Sequence, residues 1–322
     1  MIKKAGVLLA TVSLLVGFGV QAQDYPTKPI RIITPNPPGG ATDPVARALA
    51  QYMTTKLGQQ VIVEAKPGAA GSVAVDYVMK QSAPDGYTIL LHTTNVTINQ
   101  VFKKDIGYDV RKDFQPIIEA VFSPFLVSVN AEAKFKTLPE MVAFAKANPG
   151  ALNYGSSGIG STNHVPMEVF ALQNNIKMTH IPFQGGGPTI VALLGKQIDL
   201  TLDPASNSKK QIDAGKFRGL AITDTKRSAL LPDVPTVTET GLPTFVSGFF
   251  VGLSAPAATP GKIVQTLNAS MNEALAMPEV RQNLEALGFA IRGGTSAAFA
   301  QLMAKEVEQW TEVSKKVDIK ME

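Results

Sequence analysis

The sequence predicts an α/β fold with mostly parallel sheets, arranged as two lobes around a cleft. Three observations carry that expectation. Short β-rich runs alternate along the chain with amphipathic helical stretches. Most of these runs are continuously apolar, the pattern of strands covered on both faces. Polar, glycine-rich loops recur between the end of a strand and the start of a helix, where open α/β sheets hold their ligands.

The first 22 residues read as a different object. Lys3 and Lys4 form a basic start, residues 5–20 are uncharged and apolar, and Val20-Gln21-Ala22 offers small residues for cleavage. The apolar run is shorter than a membrane span needs, so this segment is expected to be a secretory signal peptide. Without those two lysines the 30 basic and 26 acidic residues leave a net charge of about +2. No basic cluster is interleaved with aromatics, so nucleic acid is not an expected partner. There is no cysteine, which excludes disulfides and thiolate metal sites. The three histidines, His92, His164 and His180, lack zinc-site spacing, and no metal or cofactor is expected.

Strands are expected at 30–34, 61–64, 88–92, 125–129, 179–183, 198–202, 217–222 and 245–253, with a short one at 152–154. Asp43 is the expected N-cap of the first helix, with Pro44 in its first turn. Thr137 and Glu140 have capping-box spacing. Thr259-Pro260 opens another helix, and Thr295-Ser296 opens the last, which carries the only tryptophan, Trp310. Residues 25–124 supply three βα units and residues 125–248 a second set. The strand after 248 is expected to return to the first set, because one strand with helices makes no domain. The expected organisation is therefore 1–22 as leader, 23–124 with 249–322 as one lobe, and 125–248 as the other.

Three loops can face the cleft. The first runs Pro35-Asn36-Pro37-Pro38-Gly39-Gly40-Ala41-Thr42-Asp43, and its glycines let the backbone approach a guest. The second is GSSGIGSTNH, residues 155–164. Pro166 must lie in a helix's first turn, so the helix begins between Ser161 and Val165, with Thr162 the best cap. Ser156, Ser157, Gly160, Ser161, Thr162 and His164 are the candidate groups there. The third is Phe183-Gln184-Gly185-Gly186-Gly187-Pro188, with Gln184 and Gly185 as candidates. Each places unbonded N–H groups at a helix N-terminus, which suits an anion. A tight turn holding no guest is the competing reading of each. Thr93, Thr94 and Asn95 end strand 88–92, and Asp203 follows strand 198–202; they can point at the same cleft. Asp203 reads equally as a turn carboxylate.

Enzyme signatures are weak. No Gly-Lys-Ser/Thr of a phosphate-binding loop occurs, and Gly158-Ile159-Gly160 supplies only two of the three glycines of a dinucleotide fingerprint. The G-x-S-x-G elbow of a hydrolase is not matched at Ser156 or Ser157. An exported serine hydrolase using His92 or His180 as base remains a remote alternative. No catalytic residue is expected.

Taken together, YPTKPIRIITPNPPGGATDPVARALA, GQQVIVEAKPGAAGSVAVDYV, APDGYTIL, LPEMVAFAKANPGALNYGSSGIGSTNH, IPFQGGGPTIVALLGKQIDL, DAGKFRGLAIT, RSALLPDVPTVTETGLP and GLSAPAATP resemble the Bug-type receptors. These are the periplasmic substrate-binding proteins of tripartite tricarboxylate transporters, and the resemblance covers essentially the whole chain after the leader. It implies a two-lobed, type II periplasmic-binding-protein-like clamp that closes on a small carboxylate. It implies a periplasmic monomer that delivers this ligand to integral-membrane transporter subunits. It also implies that backbone groups and water, rather than an arginine fork, hold the ligand carboxylate. The matching positions are Gly39, Gly40, Ala41, Thr42 and Asp43, then Ser156, Gly160, Ser161 and His164, with Asp203 toward the ligand's other end. Asp43 is expected to cap its helix, and Asp203 to face a non-anionic part of the ligand. Ala41, Asn36 and Phe249-Phe250 depart from the family's usual residues, which bears on ligand identity. A sensory protein using the same fold and ligand is the alternative from another class.

Overall fold

The computed structural model describes residues 25–36, 38–39, 42–316 and 319. The expected signal peptide lies outside the described residues. In chain order the elements are β1 (Ile30–Thr34), α1 (Asp43–Leu57), β2 (Val61–Ala65), α2 (Ser72–Gln81), β3 (Thr88–Thr93), α3 (Thr94–Phe102) and β4 (Phe114–Asn130). They continue with α4 (Leu138–Ala147), β5 (Asn153–Ser156), α5 (Val165–Asn174), β6 (Thr179–Pro182), α6 (Gly186–Leu194), β7 (Leu200–Pro204), α7 (Ala205–Asp213) and β8 (Phe217–Ile222). The chain closes with β9 (Gly248–Pro256), α8 (Gly261–Ala276), α9 (Pro278–Ala286), β10 (Ala290–Ile291) and α10 (Ser296–Ser314).

The fold is α/β, as expected. The strands order as β2-β1-β3-β9-β4-β7-β5-β6, with β8 and β10 also paired to β4. Parallel pairing holds at both ends, where β1 joins β2 and β3, and β5 joins β6 and β7. Between them run β9 and β4, antiparallel to their neighbours. The 17-residue β4 is the longest strand, where only 125–129 was expected. Pro116 and Pro124 interrupt its apolar run, and a proline ordinarily argues against a central strand. Here the register with β9 shifts beside Pro116, so a bulge absorbs that proline, and Pro124 sits at the end of the pairing with β9, where β4 changes partner.

Residues 114–124 of β4 pair with β9, and residues 125–130 with β7 and β8. At that change of partner the chain is stitched three ways. The Thr223 hydroxyl accepts from the Phe125 N–H at 2.9 Å, the Thr223 N–H donates to the Phe125 carbonyl at 2.9 Å, and the Ser247 N–H donates to the Thr223 carbonyl at 2.9 Å. Strand β9 returns to lie between β3 and β4, as the sequence led us to expect.

Core packing follows the same division. One cluster joins α1, α8 and the first strands through Ile32, Leu49, Met53, Leu253 and Leu267. Another joins Phe125, Leu138, Tyr154, Phe170 and Leu202 around β5 and β7. Helix α10 serves both regions. Its Phe299, Met303 and Val307 pack with α2 and β3, and its Trp310 and Val313 pack with the β5–β7 region. Gly252 makes the first contact feasible, because a β-carbon there would sit 2.6 Å from the Ile118 carbonyl oxygen and collide with the Phe299 ring. His92 is wholly buried among Phe114, Phe250 and Phe299, with Nδ1 3.0 Å from the Ser254 hydroxyl. It is a core residue and no catalytic base.

The Thr137 box forms, with the hydroxyl accepting from the Glu140 N–H at 3.3 Å; the Glu140 carboxylate reaches back one residue further, to the Lys136 N–H. Two expected caps are corrected. Thr42 rather than Asp43 is the N-cap of α1, and His164 rather than Thr162 precedes α5. Thr162 lines the cavity described next, whereas Asp43 is turned to the Gly39 N–H and Arg47 behind it.

Candidate functional site

A cavity of 290 Å³ opens at the carboxyl ends of the strands. It is bordered by the N-terminal ends of five helices. Thr42 is the N-cap of α1, Thr93 the N-cap of α3, and Thr94 and Asn95 its first turn. Thr162 and Asn163 lie just ahead of α5, Gly186 opens α6, and Pro204 and Asn207 flank the start of α7. Asn36, Phe125, Ser157, Asp203 and Phe249 complete the wall. Each helix N-terminus carries roughly half a positive charge and N–H groups without intrahelical partners. Among the described residues no lysine, arginine or histidine lines the cavity. Positive potential here comes from backbone alone, a known way of holding anions.

The loop before α5 is built around Asn163, which is 3% exposed. Its side-chain carbonyl accepts from the Ser157 N–H at 3.1 Å, the Ser157 hydroxyl at 2.8 Å and the Ser161 hydroxyl at 2.7 Å. A backbone N–H can only donate, so the amide oxygen must face Ser157. The amide nitrogen then donates to Asp203 Oδ1 at 2.9 Å. With those hydroxyls committed, the N–H groups of Thr162 and Asn163 have no partner among the described residues.

Behind the loop three rings stack: His164 on His180 at 3.7 Å between centroids, and His180 on Tyr154 at 4.9 Å. His164 Nδ1 accepts from the Gly160 N–H at 2.9 Å, and His180 Nε2 lies 2.6 Å from the Ser156 hydroxyl. Burial holds both histidines neutral, pushing His164 down to about 3, with His180 adding to its shift, and His180 down to about 4. The Ser156–His180 contact is not a nucleophile and its base. Ser156 is wholly buried, and among the described residues no carboxylate orients His180.

The first loop is held differently. Asn36 donates to the Thr42 hydroxyl at 2.9 Å, and Asp43 accepts from the Gly39 N–H at 3.2 Å and from Arg47 at 2.8 Å. The Asp43 carboxylate therefore staples its own loop, and Arg47 holds it below the usual carboxylate range. Among the described residues Asp203 is the one charged group in the cavity wall, and it is 2% exposed. Burial pushes its carboxyl up to about 6, while hydrogen bonds from Thr201 and Asn163 pull the other way.

Of the residues singled out in sequence, Thr42, Thr93, Thr94, Asn95, Ser157, Thr162 and Asp203 meet at the cavity. Asp43, Ser156, Gly160, Ser161 and His164 stand behind its wall as supports, and Gly39, Gln184 and Gly185 lie off it. Gly40 and Ala41 lie outside the described residues. Sequence reasoning gave no role to Phe125, Asn163 and Asn207. Phe125 reads only as the start of a strand, and an Asn one residue after a threonine cap carries no signal of its own. Asn207 lies in a helix whose start was unmarked. The signal that could have found Asn163 is its company, since three hydroxyl residues within six positions need an acceptor.

Fold and site together define a solute-binding receptor rather than an enzyme. The chain belongs to the tripartite tricarboxylate transporter family receptors, whose family model matches residues 45–319. It is 33% identical to protein BugT of Bordetella pertussis over 318 residues, 98% of this chain and 97% of that one. Among solved structures it is similar to Rpa4515 of R. palustris with adipate, at 30% identity and a TM-score of 0.77, over 91% of this chain and 98% of that chain. It is also similar to MatC of Rhodopseudomonas palustris with bound malate, at 31% identity and a TM-score of 0.75, over 90% and 99% of the two chains. Among the described residues no helix is long and apolar enough to cross a membrane.

Proposed function

We propose that this protein is a periplasmic receptor that captures a small di- or tricarboxylate or aromatic carboxylate and delivers it to the membrane subunits of a tripartite transporter. The observation that carries the reading is the convergence of five helix N-termini on one cavity without a cation. The 290 Å³ volume is at the small end of ligand pockets, roughly 300–1,000 Å³. The adipate and malate of the two solved relatives are ligands of the same class. Residues 1–22 serve as the export signal, and the receptor acts as a monomer.

Capture works by closure of two lobes, residues 23–124 with 249–322 and residues 125–248. The stitch at Phe125, Thr223 and Ser247 is where the chain passes between them, so it is the hinge. A ligand touching helix ends of both lobes favours the closed state by its difference in affinity for the two states. Thr42, Thr93 and Thr94 serve from one lobe, and Thr162, Asn163, Gly186 and Asn207 from the other.

The test is thermal unfolding of residues 23–322 with adipate, malate, citrate and benzoate. A ligand at about 100 times its Kd stabilises the native state by about 2.7 kcal/mol. A shift with one chemical class, and no product on prolonged incubation, is expected. No shift with any acid, in protein verified to be ligand-free, overturns the reading.

A further inference from the structure

The wall of this cavity contains a contradiction. Five helix ends suit an anion, yet among the described residues the only charged side chain in the wall, Asp203, is itself an acid, with no cation there to offset it. The ionisable groups on the surrounding elements are few. The α5 loop brings His164 and β6 brings His180, both held neutral by burial. Across the cavity α1 brings Asp43, already paired with Arg47. Helix α7 brings Lys209, which pairs with Asp213 on its exposed face, and Lys210. The start of α6 offers only glycines, and β4 presents Leu126 and Phe125 beside Asp203 and Pro204. An incoming carboxylate therefore meets an uncompensated like charge, which costs more in a low-dielectric site than in water.

The hydrogen bonds around Asp203 offer a way out. The Thr201 hydroxyl lies 2.8 Å from Asp203 Oδ2 and 3.1 Å from the Gly155 carbonyl oxygen. It has one hydrogen and two acceptors within reach. With Asp203 ionised, that hydrogen points to the carboxylate. With Asp203 protonated on Oδ2, the acid donates to Thr201, and Thr201 turns its hydrogen to Gly155. Asn163 donates to Oδ1 in both states, because its amide orientation is dictated by Ser157. Both protonation states are thus fully hydrogen-bonded with no heavy atom displaced.

Resting on the receptor function proposed above, we infer that Asp203 takes up one proton from solvent when an anionic ligand enters the cavity, with Thr201 as its reversible partner. The site then accepts a carboxylate without a net increase in buried negative charge for a monoanion. Burial holds the Asp203 carboxyl up at about 6, so a neighbouring anion need raise it only modestly to make it neutral at pH 7.

The experiment is calorimetric titration of adipate, which has no donor hydrogen when ionised, in pairs of buffers with different ionisation enthalpies between pH 6.5 and 8.5. Wild type is expected to absorb up to one proton per adipate, and its Kd to rise with pH by up to tenfold per unit over that range. Asp203→Asn reproduces the acid state, since its amide can donate to Thr201 and accept from Asn163. Its proton uptake is expected to vanish, with a Kd flat over that range and lower than that of wild type at pH 8.5. Adipate binding by wild type without proton uptake overturns the inference while leaving the receptor function standing. Uptake that persists in Asp203→Asn overturns it as well. If wild type binds neither adipate nor any other acid at any pH, the receptor reading falls and this inference with it.

Discussion

Two polar regions of this molecule solve the same problem in opposite ways. At the cavity, the one carboxylate among the described wall residues is met by an amide and a hydroxyl, and the nearby histidines are kept neutral. At the seam beside the stitch, formal charges do the holding. Arg292 follows β10 and lies 3.2 Å from Asp224 and 3.8 Å from Glu119, with its guanidinium over the Phe122 ring. Burial pushes Glu119 up to about 7, with Arg292 pulling it down and Asp224 adding to the rise. Nearby, burial pushes Glu306 up to about 8 despite the hydrogen bond it accepts from Thr97 at 2.6 Å. The contrast teaches a division of labour. A ligand that must leave again is better held by many fixed dipoles than by one buried ion pair, which is costly to break. A contact within the chain has no such requirement.

The comparison predicts its largest effect at the neutral side. Asn163→Leu removes four hydrogen bonds at once and leaves the Ser157 N–H and the Asp203 carboxylate short of partners. A loss of roughly 3–5 kcal/mol is expected in urea unfolding at pH 7.5. A loss below 1 kcal/mol would show that the loop does not depend on this amide.

A smaller effect tests whether neutrality of the histidine stack matters. His164 and His180 titrate lower in the folded protein than the usual 6.5 of the unfolded chain, so the unfolded state binds more protons as pH falls. Stability from these groups is complete well above pH 6.5 and is lost as pH falls, by up to about 1.4 kcal/mol for each ring at pH 5.5. Asp203, raised rather than lowered, works in the opposite direction between about pH 4 and 6. Comparing wild type with the double variant His164→Asn and His180→Gln, which keeps an acceptor near each ring nitrogen, isolates the histidine part. A flatter dependence of the unfolding free energy on pH is expected; an unchanged slope would place the titration elsewhere.

The smallest effect is expected at the seam. Arg292→Gln should cost about 1 kcal/mol at pH 8, because the arginine side chain is 35% exposed and solvent screens it. The cost should shrink at pH 5.5, where Glu119 is protonated and needs no cation. A larger cost at pH 5.5 than at pH 8 would contradict the assignment of Arg292 to these carboxylates.

Much of the fold was legible before any coordinates. The three βα units before β4, the return of β9 and the box at Thr137 all followed from apolar periodicity and capping chemistry, which act within a few residues. The length of β4 is hidden because its prolines speak locally against a strand, while the bulge beside Pro116 and the change of partner after Pro124 belong to its pairing with other strands. The site was legible as loops but not as a wall. Phe125 reads in sequence only as the start of a strand, Phe249 only as a departure that bears on ligand identity, and Asn163 carries no signal of its own. Gly160, Ser161 and His164 looked like contacts, although they stand behind the cavity.

The sequence by itself determined the alternation of strand and helix, the leader-like start and the placement of glycines, hydroxyls and amides ahead of helices. Those are consequences of dihedral preference and of the unpaired N–H groups at each helix start, both local. Only the tertiary structure decided that five of these helix starts meet at one cavity. It also decided that Asn163 joins Ser157 to Asp203, and that Arg292 answers Asp224 and Glu119. The reason is physical: periodicity specifies which face of an element is buried, but the partner across that face is chosen by packing between residues tens to hundreds of positions apart.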